Sequence, residues 1–292
     1  GVDALLHAVL LHEGQGVPPE VYELPEASRH ARGTAIVNLL PLEKGETISA
    51  VIATKDFPSD EYLMFATEHG MVKKTSMDLY DRTRRDGLIA ISLKDNDRLI
   101  SVKRVAPGEK VLMVSSAGKA IMWDEGEVRA MGRDTMGVRG MNVPPIAKVL
   151  GMEIAQPDTD LFVITEKGYG KRTPVEDYRV TNRGGIGIKN YAVTEKTGKI
   201  VGIKVVDGSE DLLLVTQAGI LIRTHVDAIR EAGRATQGVI VMRFKEEGDK
   251  VISLALAERE ETAEVAQPET AEAETMEAET TETPEETQAD QE

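Results

Sequence analysis

The chain contains no cysteine, which excludes disulfides, thiol nucleophiles and thiolate metal sites together and suits a cytoplasmic protein. Aromatic residues are scarce, at 4% of 292 residues with a single Trp, so a core has to be built from Val, Ile, Leu and Met. No apolar run approaches the roughly 20 residues of a membrane-spanning helix. The first residues lack the basic start and small-residue cleavage site of a secretion signal. A phosphate loop of the form G-x-x-x-x-G-K-[ST] and a G-x-S-x-G elbow are both missing. Asp95, Asn96 and Asp97 form a carboxylate pair with no downstream Glu at calcium-loop spacing, so they read as a polar hairpin turn. No catalytic residue, metal site or cofactor site is expected in this chain.

Evenly distributed charge is also lacking. The formal net charge is −15, yet residues 258–292 hold 14 acids against the single Arg259, which leaves 36 acids and 34 bases on the rest. That segment is Glu, Thr and Ala with almost no large apolar side chain, and it is expected to be a disordered acidic tail. Two readings of it stay open: a solubilising appendage, or a competitor with a polyanion for basic surface.

What is present is a repeat. An apolar strand, a short turn ending in Gly and a second strand ending in a base recur as LMFATEHGMVKK, LMVSSAGKAIMW, LFVITEKGYGKR and LLLVTQAGILIR, at spacings of 48, 50 and 51 residues. A loop rich in Arg or Thr closes on Gly33, Gly87, Gly137, Gly185 or Gly238 before another strand. Amphipathic strands around Ile48, Leu99, Val149, Ile200 and Val251 follow the same period. Self-similarity near 50 residues marks a propeller or related array, in which each unit buries its apolar face only against its neighbours. The expected fold is all-β, with about five four-stranded blades over residues 21–257. Residues 1–20 match none of the three anchors and could form one short helix, so the first blade is expected to lack its opening hairpin, as from a truncated or misjoined reading frame.

The bases recur with the blades. Lys73, Lys74, Lys171, Arg172 and Arg223 end the turn-and-strand anchors, and Lys119 is what the Gly118 unit offers, since Met122 takes the expected basic position. Arg29, Arg32, Arg84, Arg85, Arg133, Arg139, Arg183 and Arg234 sit in the Gly loops. Equivalent positions in an array point the same way, which predicts a basic belt around the rim. Glycines beside the bases let a backbone N–H approach phosphate closely. Double-stranded DNA bound without sequence preference is therefore the expected partner. A solvated polar edge is the plain alternative, and a protein-interaction scaffold using a blade face is the rival function.

Three segments are specific: VYELPEASRHARGTAIVNLLPLEKGE, RTPVEDYRVTNRGGIGIKNYAVTEKTGKIVGIKVVD and GRATQGVIVMR. They closely resemble the C-terminal domain of DNA gyrase A, from the type IIA topoisomerases, over about residues 21–257. The resemblance implies a β-pinwheel, a propeller-like array whose blades exchange strands, and DNA wrapped around its basic rim in support of negative supercoiling. It also implies partnership with the gyrase A cleavage domain and with gyrase B, ATP and magnesium on gyrase B only, a cytoplasmic, nucleoid-associated place, and no membrane. The equivalent domain of topoisomerase IV stays open as an alternative. The family's Gln-Arg-Arg-Gly-Gly-Lys-Gly box is not found; Thr181 to Gly187 keeps Arg183, Gly184, Gly185 and Gly187 of it in a later blade.

Overall fold

A computed structural model describes residues 7–12, 15–17, 48–54, 56–81, 88–244, 246 and 248–259. Residues 1–259 form one unit. Arg29, Arg32, Arg84, Arg85 and the acidic tail beyond Arg259 lie outside the described residues.

The described part is built from nineteen strands, and its helical elements are single 3-10 turns. Its repeating unit is clearest in the middle of the chain. Strand β8 (Lys110–Ser115) turns into β9 (Lys119–Asp124), a 3-10 turn follows at Glu125–Glu127, then a two-residue strand β10 (Val138–Arg139), then β11 (Val149–Ala155). The units on either side repeat this order as β4 (Tyr62–Thr67), β5 (Met71–Ser76), β6 (Leu88–Ile89) and β7 (Leu99–Val105), and as β12 (Asp160–Thr165), β13 (Tyr169–Pro174), β14 (Ile188–Lys189) and β15 (Ile200–Val206). The last unit supplies β16 (Glu210–Thr216), β17 (Leu221–His225), β18 (Val239–Ile240) and β19 (Val251–Glu258).

A sheet is not made from one unit alone. Strands β8, β9 and β11 pair antiparallel, but the fourth strand of that sheet is β14 from the following unit, with Ile188 opposite Ala120 and Lys189 opposite Lys119. Likewise β10 closes on β5 and β18 closes on β13. Each of these units thus lends its short strand backwards. The loop glycine makes the loan possible: Gly137, Gly187 and Gly238 have φ of 80, 79 and 72°. A Cβ at these positions would lie 2.2, 2.4 and 2.3 Å from the carbonyl oxygens of Val72, Ala120 and Gly170, on the strand being joined.

The long strands β7, β11, β15 and β19 are neighbours in space and form the inner side of the array, which leaves the exchanged strands at its outer edge. Close approach of the inner strands needs small residues. A Cβ on Gly202 would meet Leu254 at 1.8 Å, and one on Gly151 would meet Ile203 at 2.9 Å. The core lies between blades, where Met64, Val72 and Val105 of one pack with Met113, Trp123 and Met152 of the next. Strand β8 is accordingly buried from Val111 to Ser115 without alternation, the pattern of a strand covered on both faces.

Two expectations are corrected. Residues 1–20 form no helix among those described: β1 (His7–His12) and β2 (Gln15–Val17) make a hairpin, joined by β3 (Ile48–Thr54) and β6 into a four-stranded sheet. The sheet with three strands is the last, β17-β16-β19. The carboxylate pair is a turn, as expected: Asn96 has φ of 61°, and Asp97 accepts from the N–H groups of His69 and Arg98. No group of three or more metal-ligating side chains occurs among the described residues.

Candidate nucleic-acid interface

Each loop that precedes an exchanged strand, 131–137, 181–187 or 233–238, touches the segment that follows the previous exchanged strand along the outer edge. The N–H of Gly184 donates to Gly140 O at 2.6 Å, that of Asn142 to Gly185 O at 2.8 Å, and that of Ala192 to Thr236 O at 3.2 Å. Arginines strengthen the same contacts. Arg183 Nη1 donates to Arg139 O at 2.9 Å and Arg234 Nη1 to Lys189 O at 3.3 Å, each reaching back to the previous loop's exchanged strand. Backbone and side chains thereby join successive loops into one continuous belt.

On this belt Arg139 and Lys189 are exposed, and Arg133, Arg183, Arg234 and the neighbouring Lys119 are half-buried. Three more cations belong to it. Arg129, Arg179 and Arg230 are exposed and stand directly after Val128, Tyr178 and Ile229, the buried residues that end each 3-10 turn. Sequence reading passed over them and Lys189. The signal was available, since the three recur at spacings of 50 and 51. Among the described residues, none of these belt cations forms an ion pair with a carboxylate. Arg129 lines a groove of about 640 Å³ with loop 131–137, and Arg179 lines one of about 240 Å³ with loop 181–187.

The strand-end bases are corrected to structural roles. Strands β5 and β13 are covered on both faces, so a cation there has no route to water and must find partners inside. Lys73 and Lys171 are fully buried. Lys73 Nζ donates to the carbonyls of Ala90 and Arg133. Lys171 Nζ donates to those of Gly233 and Arg234 at 2.7 and 2.6 Å. Burial lowers their pKa values to about 7 for Lys73 and about 8 for Lys171. Lys74 is buried against Glu125 at 2.5 Å. Arg172 is held by Asp160 at 2.6 Å and by Ile229 O at 2.8 Å. Arg223 donates to Asp211 at 2.6 Å and to Glu258 O at 2.7 Å. The hydrogen bonds from His225 and Arg223 keep the Asp211 carboxyl below the usual carboxylate range. Lys73, Lys74, Lys171 and Arg172 thus tie one unit to the next, whereas Arg223 is exposed and tied within its own sheet.

A serial array of small sheets that trade edge strands, with a cation-bearing outer belt, defines a propeller of the pinwheel type. The chain belongs to the family described as the DNA gyrase C-terminal domain, beta-propeller, which matches residues 20–55, 61–106, 109–156, 159–207 and 210–258, one match per repeat. It is 44% identical over 226 residues to the DNA gyrase A protein of Staphylococcus epidermidis, covering 76% of this chain and 25% of that protein. To the DNA gyrase A protein of Staphylococcus aureus it is 42% identical over 246 residues, covering 83% and 27%. The chain thus spans about a quarter of the length of these relatives. Among solved structures it is similar to a DNA topoisomerase IV C-terminal domain, with TM-score 0.79 at 27% identity, covering 87% of this chain and 80% of that one. A DNA gyrase A C-terminal domain gives TM-score 0.75 at 25% identity, with coverage of 87% and 83%.

Proposed function

We propose that this chain binds duplex DNA along the loop belt without regard to sequence and wraps it, as the non-catalytic C-terminal part of a gyrase A protein. The observation that supports this most directly is the row of cations without carboxylate partners, at equivalent positions on loops that each hydrogen-bond to the exchanged-strand segment of the unit before. Phosphate is the charged feature that DNA repeats at every step whatever its sequence, as this belt repeats its bases. Each neutralised phosphate adds about 0.9 to the slope of log affinity against log salt. Bending a site of 20 to 30 base pairs costs on the order of 1 to 6 kcal/mol, which several such contacts offset.

In this reading wrapping presents a DNA segment to the gyrase A cleavage domain, and gyrase B supplies the ATP and magnesium chemistry that drives negative supercoiling in the nucleoid. A topoisomerase IV role is the second reading, favoured by the TM-score of 0.79. Identities of 42 and 44% to gyrase A proteins weigh more heavily. The test is Arg129→Glu, Arg139→Glu, Arg179→Glu and Lys189→Glu together in the full chain, titrated with a duplex of about 150 base pairs, one persistence length. Weaker binding and a salt slope lower by roughly 0.9 per lost contact are expected. Parent-like binding overturns the belt and leaves a protein-interaction scaffold.

A further inference from the structure

Beside the exposed Val180 and Ile240, the belt carries two large apolar side chains within its loops. Met136 and Ile186 are 48% and 60% exposed. Each stands immediately before its loop glycine, Gly137 or Gly187. The same position holds Gln237 in the last repeat, whose loop closes on Gly238 in the same way, so the loop closes equally well on a polar residue. Single exposed apolar side chains are ordinary on a protein surface, but these two recur at one repeat position among the belt cations, where a bound partner would cover each.

Its neighbours indicate which. Met136 lies three residues after Arg133 and three before Arg139; Ile186 lies three after Arg183 and three before Lys189. Cation, apolar group, cation is the order in which a nucleic-acid strand presents phosphate, sugar, phosphate. The presentation is firm, because the glycine that follows is pressed against the neighbouring strand and Arg183 is tied to the carbonyls of Glu127 and Arg139.

We infer that Met136 and Ile186 pack against the sugar between two contacted phosphates and make the belt selective for deoxyribose over ribose. This rests on the DNA-binding reading above. Deoxyribose offers a C–H surface at its 2′ carbon. Ribose places a hydroxyl there, which is the feature by which proteins tell RNA from DNA. Against a thioether or a sec-butyl group that hydroxyl loses water and gains no partner.

Helix shape also differs between DNA and RNA, so the test holds shape constant. The full 292-residue chain is titrated with duplexes of one sequence made as DNA, as RNA and as 2′-fluoro RNA, the last two sharing A-form geometry. In the parent, RNA is expected to bind roughly fivefold more weakly than its 2′-fluoro counterpart, the low end of the cost of an unpartnered hydroxyl. In the Met136→Ser, Ile186→Ser variant the two should bind alike at unchanged Tm, while Gln237→Met should widen the parent's ratio. A parent ratio near one, or a ratio that the double variant leaves unchanged, overturns the inference while salt-dependent DNA binding persists. Loss of any salt-dependent duplex binding in the parent overturns the DNA reading and this inference with it.

Discussion

The ammonium group of Lys171 lies 2.6 Å from the carbonyl oxygen of Arg234. A buried base of one blade thus fixes the backbone beneath a belt arginine of the next. Lys73 does the same for Arg133, and between them Ile121 occupies the corresponding strand position. Recurrence of a lysine at a strand end therefore marks a staple between blades, and its connection with nucleic acid is indirect.

Replacing either lysine by methionine should keep the volume and remove the donor. Two carbonyls would lose their partner, at about 1 to 3 kcal/mol for each site. Urea unfolding of Lys73→Met and Lys171→Met should show that loss. DNA titration should show weaker binding with the salt slope unaltered, because no phosphate contact has been deleted. A slope lower by a full contact would return these lysines to the belt.

Stability should also depend on pH in a defined direction. Lys73 has a folded pKa of about 7 and Lys171 of about 8, both below the ordinary lysine value of 10.5. Between those values and 10.5 the unfolded chain binds more protons than the folded one, so folding is favoured as pH rises. The parent should gain on the double methionine variant from pH 7 to pH 10, by at most about 1.4 kcal/mol per pH unit for each lysine. Denaturant midpoints at several pH values measure this, and a gap that shrinks with rising pH would contradict it.

Much of this architecture is legible in the sequence. The strands around Leu99, Val149, Ile200 and Val251 all exist, each beginning at that residue. The period could not say whose sheet a short strand joins, since pairing of Ile188 inside its own repeat or with the previous one would be equally regular. What decides is the close approach of Gly187 to the Ala120 carbonyl, a tertiary contact. Lys73, Lys74 and Lys171 were misread because strands covered on both faces have no solvent side, and alternation cannot reveal that. Arg129, Arg179 and Arg230 were overlooked although their spacing was as regular as that of the loop arginines. The first hairpin was missed although Gly14 stands between HAVLLH and QGV in the sequence, because its spacing of 56 residues to Gly70 departs from the period and its second strand does not end in a base.

Strain and contact can be separated at two glycines. Gly187→Ala puts a Cβ at φ of 79° and 2.4 Å from Ala120 O, whereas Gly219→Ala has φ of 82° and nothing within 4 Å. Left-handed backbone alone costs about 1 to 2 kcal/mol. Gly187→Ala should exceed that and loosen β14 from β9, seen as faster amide exchange at Ile188; Gly219→Ala should stay within it. Equal losses at the two sites would mean that the exchanged strand is not held by backbone contact.

One carboxylate ties three inner strands. Glu153 on β11 is buried, with Lys103 of β7 at 2.6 Å on one side and Lys204 of β15 at 3.3 Å on the other. The two lysines are a quarter to a third exposed, so water and salt reach them. Glu153→Gln leaves two like charges facing an amide and should cost about 1 to 3 kcal/mol, less than a fully buried pair would. Because that cost is largely repulsion between part-exposed charges, raising salt should restore some of it. Lys103→Met placed on top should recover more, since it deletes one of the repelling charges. Urea midpoints of the single and double variants at low and high salt measure the coupling. A loss indifferent to salt, and not relieved by Lys103→Met, would show that Glu153 is needed for packing and not for its charge.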